Sequence, residues 1–295
     1  MAALREPLVF GDTRVDRIVE LVKDYYPAME FFRGLTPEIL DEHRHWLEPD
    51  FIHPGNGNVI LTFQSYLVRT PRHTILVDSC IGNDKPRPTR QMFHMLKLDA
   101  WQRNLAALGL TVADIDFVMC THLHVDHVGW NTRLENGRWV PTFPNARYIF
   151  SGKELDFWSE RERQAPETCP WITDSVLPVV AAGCHQCVTS DHAFDDHMRL
   201  TPTPGHTIDH FSVELGGMEP DAIIGGDMVH SPIQVLYPEI GMFSDFDSKQ
   251  AGETRHALFS RLLGTPTKLC TAHFAEPSVI RITGEKGGGY DWAYA

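Results

Sequence analysis

Four side chains able to bind a metal fall within six residues at His122, His124, Asp126 and His127, in the run Thr121-His122-Leu123-His124-Val125-Asp126-His127-Val128-Gly129. The apolar stretch Ile115-Asp116-Phe117-Val118-Met119-Cys120 leads directly into it and predicts a buried strand. A strand ending in such a loop can aim several imidazoles and a carboxylate at one point, and these are donors that borderline divalent ions such as zinc prefer. Leu123 and Val125 alternate with the ligands, so they point the other way and can lock the loop into the core.

Further donors follow other apolar runs. His206 leaves Leu200-Thr201-Pro202-Thr203-Pro204-Gly205, where Gly205 permits a tight backbone turn. Asp227 ends Ala222-Ile223-Ile224-Gly225-Gly226, and His273 ends Lys268-Leu269-Cys270-Thr271-Ala272. Upstream, Asp78 ends Thr74-Ile75-Leu76-Val77.

This ordered set, a strand-end Asp, HxHxDH, His, Asp and His, resembles that of the metallo-β-lactamase-fold hydrolase superfamily. It spans Asp78 to His273, most of the chain. The resemblance implies an α/β protein of αββα sandwich form, two mixed sheets packed face to face with helices outside. It implies that His122, His124 and His206 hold one metal, that Asp126, His127 and His273 hold a second, and that Asp227 bridges them. Asp78 then matches the family's supporting aspartate, which accepts a ligand imidazole N–H and fixes its tautomer. Five imidazoles and two carboxylates without a thiolate suit two divalent ions, zinc first, with manganese, cobalt or iron also compatible.

A chain of 295 residues with 42% hydrophobic residues can bury a substantial core, and a single domain over 1–295 is expected. Segments 21–56 and 160–188 are candidate pocket lids. The start, Met1-Ala2-Ala3-Leu4-Arg5-Glu6-Pro7, is too short and polar for a leader, and no run of eighteen apolar residues occurs. The expectation is a soluble, cytoplasmic protein with no membrane partner.

The net charge of −13 and the lack of a Lys/Arg cluster argue against nucleic acid and for a small-molecule substrate. The most basic stretch, Lys85-Pro86-Arg87-Pro88-Thr89-Arg90, is expected to be a solvated loop because of its prolines. The six cysteines show no disulfide framework, and Cys184-His185-Gln186-Cys187 has C-x-x-C spacing without a second pair or a redox context.

Residues Pro7 to Glu20 read as two strands around a Gly11-Asp12 turn, and Thr36-Pro37 starts a helix running through Trp46. Strands are expected over Asn58 to Val68, Thr74 to Val77 and Ala146 to Phe150, and helices over Leu98 to Leu108, after Ser151, and over Asp247 to Leu263. The weakly patterned Glu160 to Gln186, interrupted by Pro166, Pro170 and Pro178, is a candidate insertion whose Trp158, Trp171, Ile172 and Val176 form either core or pocket wall. Tyr25 to Gly34 is an unusually aromatic loop, a flap or a contact in a homodimer.

Two metals held together lower the pKa of a shared water, so the expected chemistry is hydrolysis by a metal-bridging hydroxide, with Asp126 orienting the nucleophile or taking its proton. Gly226-Asp227-Met228-Val229-His230 carries His230 where acyl-homoserine lactonases of the family have a tyrosine. Methyl-parathion-type hydrolases have an apolar pair and His there, and the run Ile280 to Tyr290 echoes their C-terminal Ile-Arg strand and Gly-rich turn. The resemblance therefore points to the lactonase and organophosphate-hydrolase branch, acting on a small ester, lactone or phosphotriester. Asp126 and His230 are the candidate catalytic residues, His230 standing at the pocket rim. The alternatives are a hydrolytic dehalogenase of an aromatic compound, an iron-dependent persulfide dioxygenase, and a catalytically silent metal-stabilised module. Asp227 argues against a true β-lactamase, and few residues after His273 remain for a glyoxalase II glutathione-binding region.

Overall fold

The structure, a computed structural model, describes residues 6–295. Most of the N-terminal heptapeptide read above as too polar for a leader therefore lies outside the described residues. The chain forms a mixed α/β protein with two mixed seven-stranded sheets. The first sheet runs in the order Leu8–Phe10, Thr13–Pro27, Asn58–Arg69, Thr74–Val77, Phe117–Met119, Arg147–Ser151, His185–Val188. The second runs Ala193–Asp195, Met198–Pro202, Phe211–Gly216, Pro220–Ile224, Lys268–Cys270, Val279–Lys286, Gly289–Tyr294. By backbone contacts the chain divides into two compact units, one comprising the chain up to Leu21 with Phe63–Thr189, the other Val22–Thr62 with Ser190–Ala295.

In the first unit the strand Phe117–Met119 pairs in parallel with a neighbour on each side, Val77↔Met119 and Met119↔Ile149. A strand enclosed on both sides reads as a continuous apolar run rather than an alternating one, which is why Ile115 to Cys120 is legible. The expected helix after Leu98 is Ala100–Ala107, burying Trp101 and Leu105. Ser151 caps Gly152–Gln164 by accepting from the Glu154 N–H.

One expectation in this unit fails in part. Pro86, Pro88 and Thr89 of the basic stretch are exposed as expected, but its cations Lys85 and Arg87 are not solvated, at 0% and 1% exposure. Arg87 forms a two-pronged ion pair with Asp174 (2.6 and 2.8 Å), and the Lys85 ammonium sits 3.7 Å over the Trp139 ring and donates to Thr132 Oγ1. The prolines mark a loop correctly, but a partner carboxylate absent from the local sequence draws its cations inward. The weakly patterned stretch forms the short helices Pro166–Thr168, Pro170–Ser175 and Leu177–Ala181. Each has its proline in the first turn, where the missing N–H costs nothing. Trp158, Trp171, Ile172 and Val176 are all buried.

In the second unit Thr36 caps the expected helix, Pro37–Leu47, and Asp247 caps Ser248–Leu262. The aromatic stretch is not a loop: Tyr25 and Tyr26 end a strand, Ala28–Phe31 is a helical turn, and Phe32–Arg33 pairs with Gly241–Met242. The segment Ile280 to Tyr290 forms a β-hairpin, with Gly287 and Gly288 supplying positive φ at its turn. None of the six cysteines forms a disulfide, and four are buried. No helix among the described residues is long and apolar enough to cross a membrane.

Candidate metal centre

Strand order explains how residues distant in sequence come together. In the first unit Val77 and Met119 are register partners on adjacent parallel strands, so Asp78 and the loop from Cys120 to Val128 emerge at the same edge. The second unit repeats the arrangement: Ile224 pairs with Cys270 in parallel, and Asp227 and His273 each follow three residues later. The turn carrying His206 joins Met198–Pro202 to Phe211–Gly216, whose start lies against the end of Pro220–Ile224, so it reaches that same edge. The donors thus sit just beyond the strands rather than on their last residues.

Side-chain placement in the first loop follows the alternation in the sequence. Leu123 and Val125 are buried at 0% and 6% exposure, while His124 and Asp126 are half-buried on the opposite side. The His122 ring lies 4.7 Å from that of His124 and 4.2 Å from that of His127, and Asp126 Oδ2 is 3.8 Å from His127 Nε2. Gly129 is required because a Cβ there would lie 1.9 Å from the Ile81 carbonyl oxygen.

Asp78 organises this loop. It accepts from the Thr121 N–H (2.8 Å), the Thr121 hydroxyl and His127 Nδ1–H (2.9 Å). Because Thr121 donates to Asp78, it accepts from His122 Nδ1–H at 3.1 Å. Both imidazoles are therefore held as the tautomer with its lone pair on Nε2. Asp78 is in the left-handed region (φ 59°), as is Cys80 (φ 50°), a conformation costing roughly 1–2 kcal/mol for a residue with a Cβ. Glu20 offsets this by accepting from the Ile81 and Gly82 N–H groups and from the Trp130 indole. Burial pushes Glu20 up to about 7 against those three donated bonds.

The second unit gathers its donors around one carboxylate. Asp227 Oδ1 lies 2.9 Å from His273 Nε2, and Oδ2 lies 3.3 Å from His206 Nε2 and 3.1 Å from His230 Nε2. His206 Nδ1–H donates to Asp245 at 2.9 Å and His273 Nδ1–H donates to the Thr62 carbonyl at 2.9 Å, again leaving the lone pair on Nε2. Burial disfavours the His206 imidazolium, but Asp227 and Asp245 outweigh it and raise His206 to about 9. Surroundings that raise a buried imidazole this far favour positive charge, whether carried by a proton or by a metal. Asp245 is held below the usual carboxylate range despite burial, chiefly by His206. Gly205 (φ 123°) makes the predicted tight turn, and a Cβ there would lie 2.2 Å from the Ala251 nitrogen.

His230 does not stand at a rim. It is 2% exposed, stacks on His273 with ring centroids 5.2 Å apart, and meets the Phe31 ring at 5.8 Å. Burial lowers it to about 4, so it is neutral. Since a carboxylate only accepts, Nε2 carries the proton donated to Asp227. Nδ1 then keeps a buried lone pair with no hydrogen-bond partner among the described residues.

The donors expected from sequence thus fall into two constellations, His122, His124, Asp126 and His127 in the first unit and His206, Asp227 and His273 in the second, and these residues form His/Asp groups able to hold a metal. Their chemistry fits a divalent ion: for His122, His127, His206 and His273 the Nδ1 side is fixed by a partner and Nε2 is the atom that would ligate. Sequence reasoning missed Glu20, Asp245 and His210. His210 Nε2 accepts the Asp227 N–H at 3.0 Å, and its Nδ1–H begins a chain through Thr203 and Ser212 to the Gly225 carbonyl. Its four-residue spacing from His206 was the one available signal.

Among solved structures the chain is similar to the hydrolase AbOPH of the beta-lactamase superfamily, with 24% identity, a TM-score of 0.79 and coverage of 98% of this chain and 96% of that one. AidC, a dizinc quorum-quenching lactonase, shares 19% identity with a TM-score of 0.78 over 98% and 97% of the two chains. A probable metal-dependent hydrolase from Staphylococcus aureus shares 16% identity with a TM-score of 0.74 over 98% and 99%. These likenesses bear on the fold. No curated protein matches the chain. The family model of the metallo-beta-lactamase superfamily matches residues 64–273, which takes in every donor described above, and the chain belongs to that superfamily.

Proposed function

We propose that the protein is a dinuclear metal-dependent hydrolase of small esters, lactones or phosphotriesters, in the lactonase and organophosphate-hydrolase branch of its superfamily. His122, His124 and His206 hold one ion, Asp126, His127 and His273 the other, and Asp227 both. The observation that carries this reading is the tautomer control: four imidazoles are each held at Nδ1 by a hydrogen-bond partner that turns Nε2 toward an ion. A single structural zinc needs four ligands, and seven donors exceed that. Zinc is favoured by the nitrogen-rich donor set and by the dizinc lactonase among the similar structures. Two such ions supply Lewis acidity and a supply of hydroxide near neutral pH.

The chain's own residues then position and move protons. Asp126, half-buried, orients the nucleophile or takes its proton. His230 donates through Nε2 to Asp227 and offers its Nδ1 lone pair to a substrate or water proton. Exposed Tyr26, Met29, Phe243 and Phe246 belong to the same unit, and the Tyr26 and Phe243 rings meet at a tilt, 5.3 Å apart, beside Phe31, which touches His230. They suit an uncharged substrate with an apolar group, in keeping with the net charge of −13, which disfavours nucleic acid. Segment 21–56 would on this reading serve as a wall or lid.

A substrate panel of esters, lactones and phosphotriesters, run with metal quantification, tests the proposal. About two zinc per chain with turnover supports it; one iron and oxygen consumption points to the dioxygenase, and metal without turnover to a binding module. On the best substrate, His230→Ala is expected to keep its metal and to lose roughly ten- to a thousandfold in rate. Wild-type turnover by that variant removes His230 from the mechanism.

A further inference from the structure

The proposed ligands His122 and His124 flank Leu123, whose peptide groups lie in a loop outside either sheet ladder. Both are nevertheless satisfied, and by side chains rather than by backbone. The Leu123 N–H donates to Glu154 Oε2 at 3.3 Å, and its carbonyl accepts from the Trp171 indole N–H at 2.8 Å. Glu154 is 0% exposed and Trp171 3%. A buried carboxylate is costly, and an apolar residue would fill the same space. Glu154 is accounted for by what it accepts, since Oε2 also takes the Trp158 indole N–H at 3.0 Å.

Trp158 in turn meets the His124 ring at 5.5 Å and the Trp171 ring at 5.4 Å. The far end of the arrangement is fixed too. Trp171 belongs to the short helix Pro170–Ser175, whose Asp174 is gripped by Arg87, and Arg90 lies 4.8 Å over the Trp171 ring. The buried cations of the basic loop thus brace the helix that reaches the ligand loop.

We propose that Glu154 and Trp171 are positioning residues: they clamp the Leu123 peptide from both sides and so set the direction in which His122 and His124 leave the backbone. The clamp makes metal affinity depend on the segment following Ser151, well outside the ligand motif. Holding the peptide before the metal arrives removes the ordering cost from binding, and loss of such supporting contacts typically weakens metal affinity by about 10- to 100-fold. This inference rests on the ligand roles proposed above.

The test is cobalt(II) binding to the full chain, read by chelator competition and by the visible absorption of the bound ion. Trp171→Phe keeps the ring and removes the N–H, and Glu154→Leu removes the acceptor; each is expected to bind one of two cobalt ions at least about tenfold more weakly, with a changed spectrum. Glu154→Gln, which retains an oxygen able to accept, is expected to restore most of the affinity. A merely structural role would lower thermal stability and leave affinity and spectrum of the folded protein at wild-type values, and that result overturns the proposal. A second measurement needs no variant: in metal-free wild type the Leu123 amide and Trp171 indole protons are expected to resist exchange with solvent, and rapid exchange of both overturns the preformed clamp. His124→Ala serves as the reference. If it takes up both ions normally the ligand assignment fails, whereas loss of one ion there with unchanged binding by Trp171→Phe and Glu154→Leu refutes only the clamp.

Discussion

The two donor constellations are organised in opposite ways. In the first unit four donors lie within six residues, yet the loop is held in shape by residues outside it, Asp78, Glu20, Glu154 and Trp171. In the second unit the donors come from three separate chain segments and gather directly on the Asp227 carboxylate. Proximity in sequence does not orient side chains, so a contiguous motif needs external braces. Dispersed donors are brought together by strand register and need a charged centre. Damage to the first half should therefore be graded, and damage to the second should spread.

The largest effect is expected at that centre. Asp227→Asn preserves volume but removes the charge around which His206, His230 and His273 collect, so rate and metal content should fall together, the rate by at least about a hundredfold. Near-normal turnover with two metals bound would erase the contrast between the halves.

Asp78→Ala probes the braced half. It removes the acceptor for His127 Nδ1–H and for Thr121 without deleting a ligand. Metal affinity is expected to drop by about 10- to 100-fold with both ions still bound at high concentration. Complete loss of an ion would mean that Asp78 acts as a ligand. Unchanged affinity would mean that the loop holds its own shape.

How far the sequence revealed this division depends on the range of the interactions. The caps at Thr36 and Ser151, the helix starting near Asp247 and the turn at Gly205 are local signals, and the structure bears them out. The sequence order of the donors also carried the family. Lys85 and Arg87 were misread because their partner Asp174 lies almost ninety positions away, and nothing near them announces burial. Asp245 and Glu20 were missed for the same reason: each acts on a backbone or ring brought to it only by the tertiary fold.

The smallest expected effect belongs to the remote brace and concerns stability. Burial, aided by Arg87 and opposed by Asp174, lowers Lys85 from 10.5 to about 7. Below that value the ammonium is charged in folded and unfolded chains alike, and the full burial penalty applies. Between about 7 and 10.5 only the unfolded chain keeps the proton, so the contribution of Lys85 makes stability rise with pH across that window. Denaturant titrations from about pH 6 to about pH 10 should show that rise in wild type and a flatter profile in Lys85→Met. Identical profiles would show that Lys85 is not the titrating group.

The most direct test of the dinuclear reading is metal content per folded chain in wild type and in His206→Ala. His206 lies in the dispersed half, yet its proposed ion is shared with His122 and His124 of the contiguous half. Wild type is expected to hold about two ions and the variant about one, with the chain still folded, as seven donors over two sites imply. Equal metal content in the two proteins would contradict the ligand assignment on which the proposed function stands.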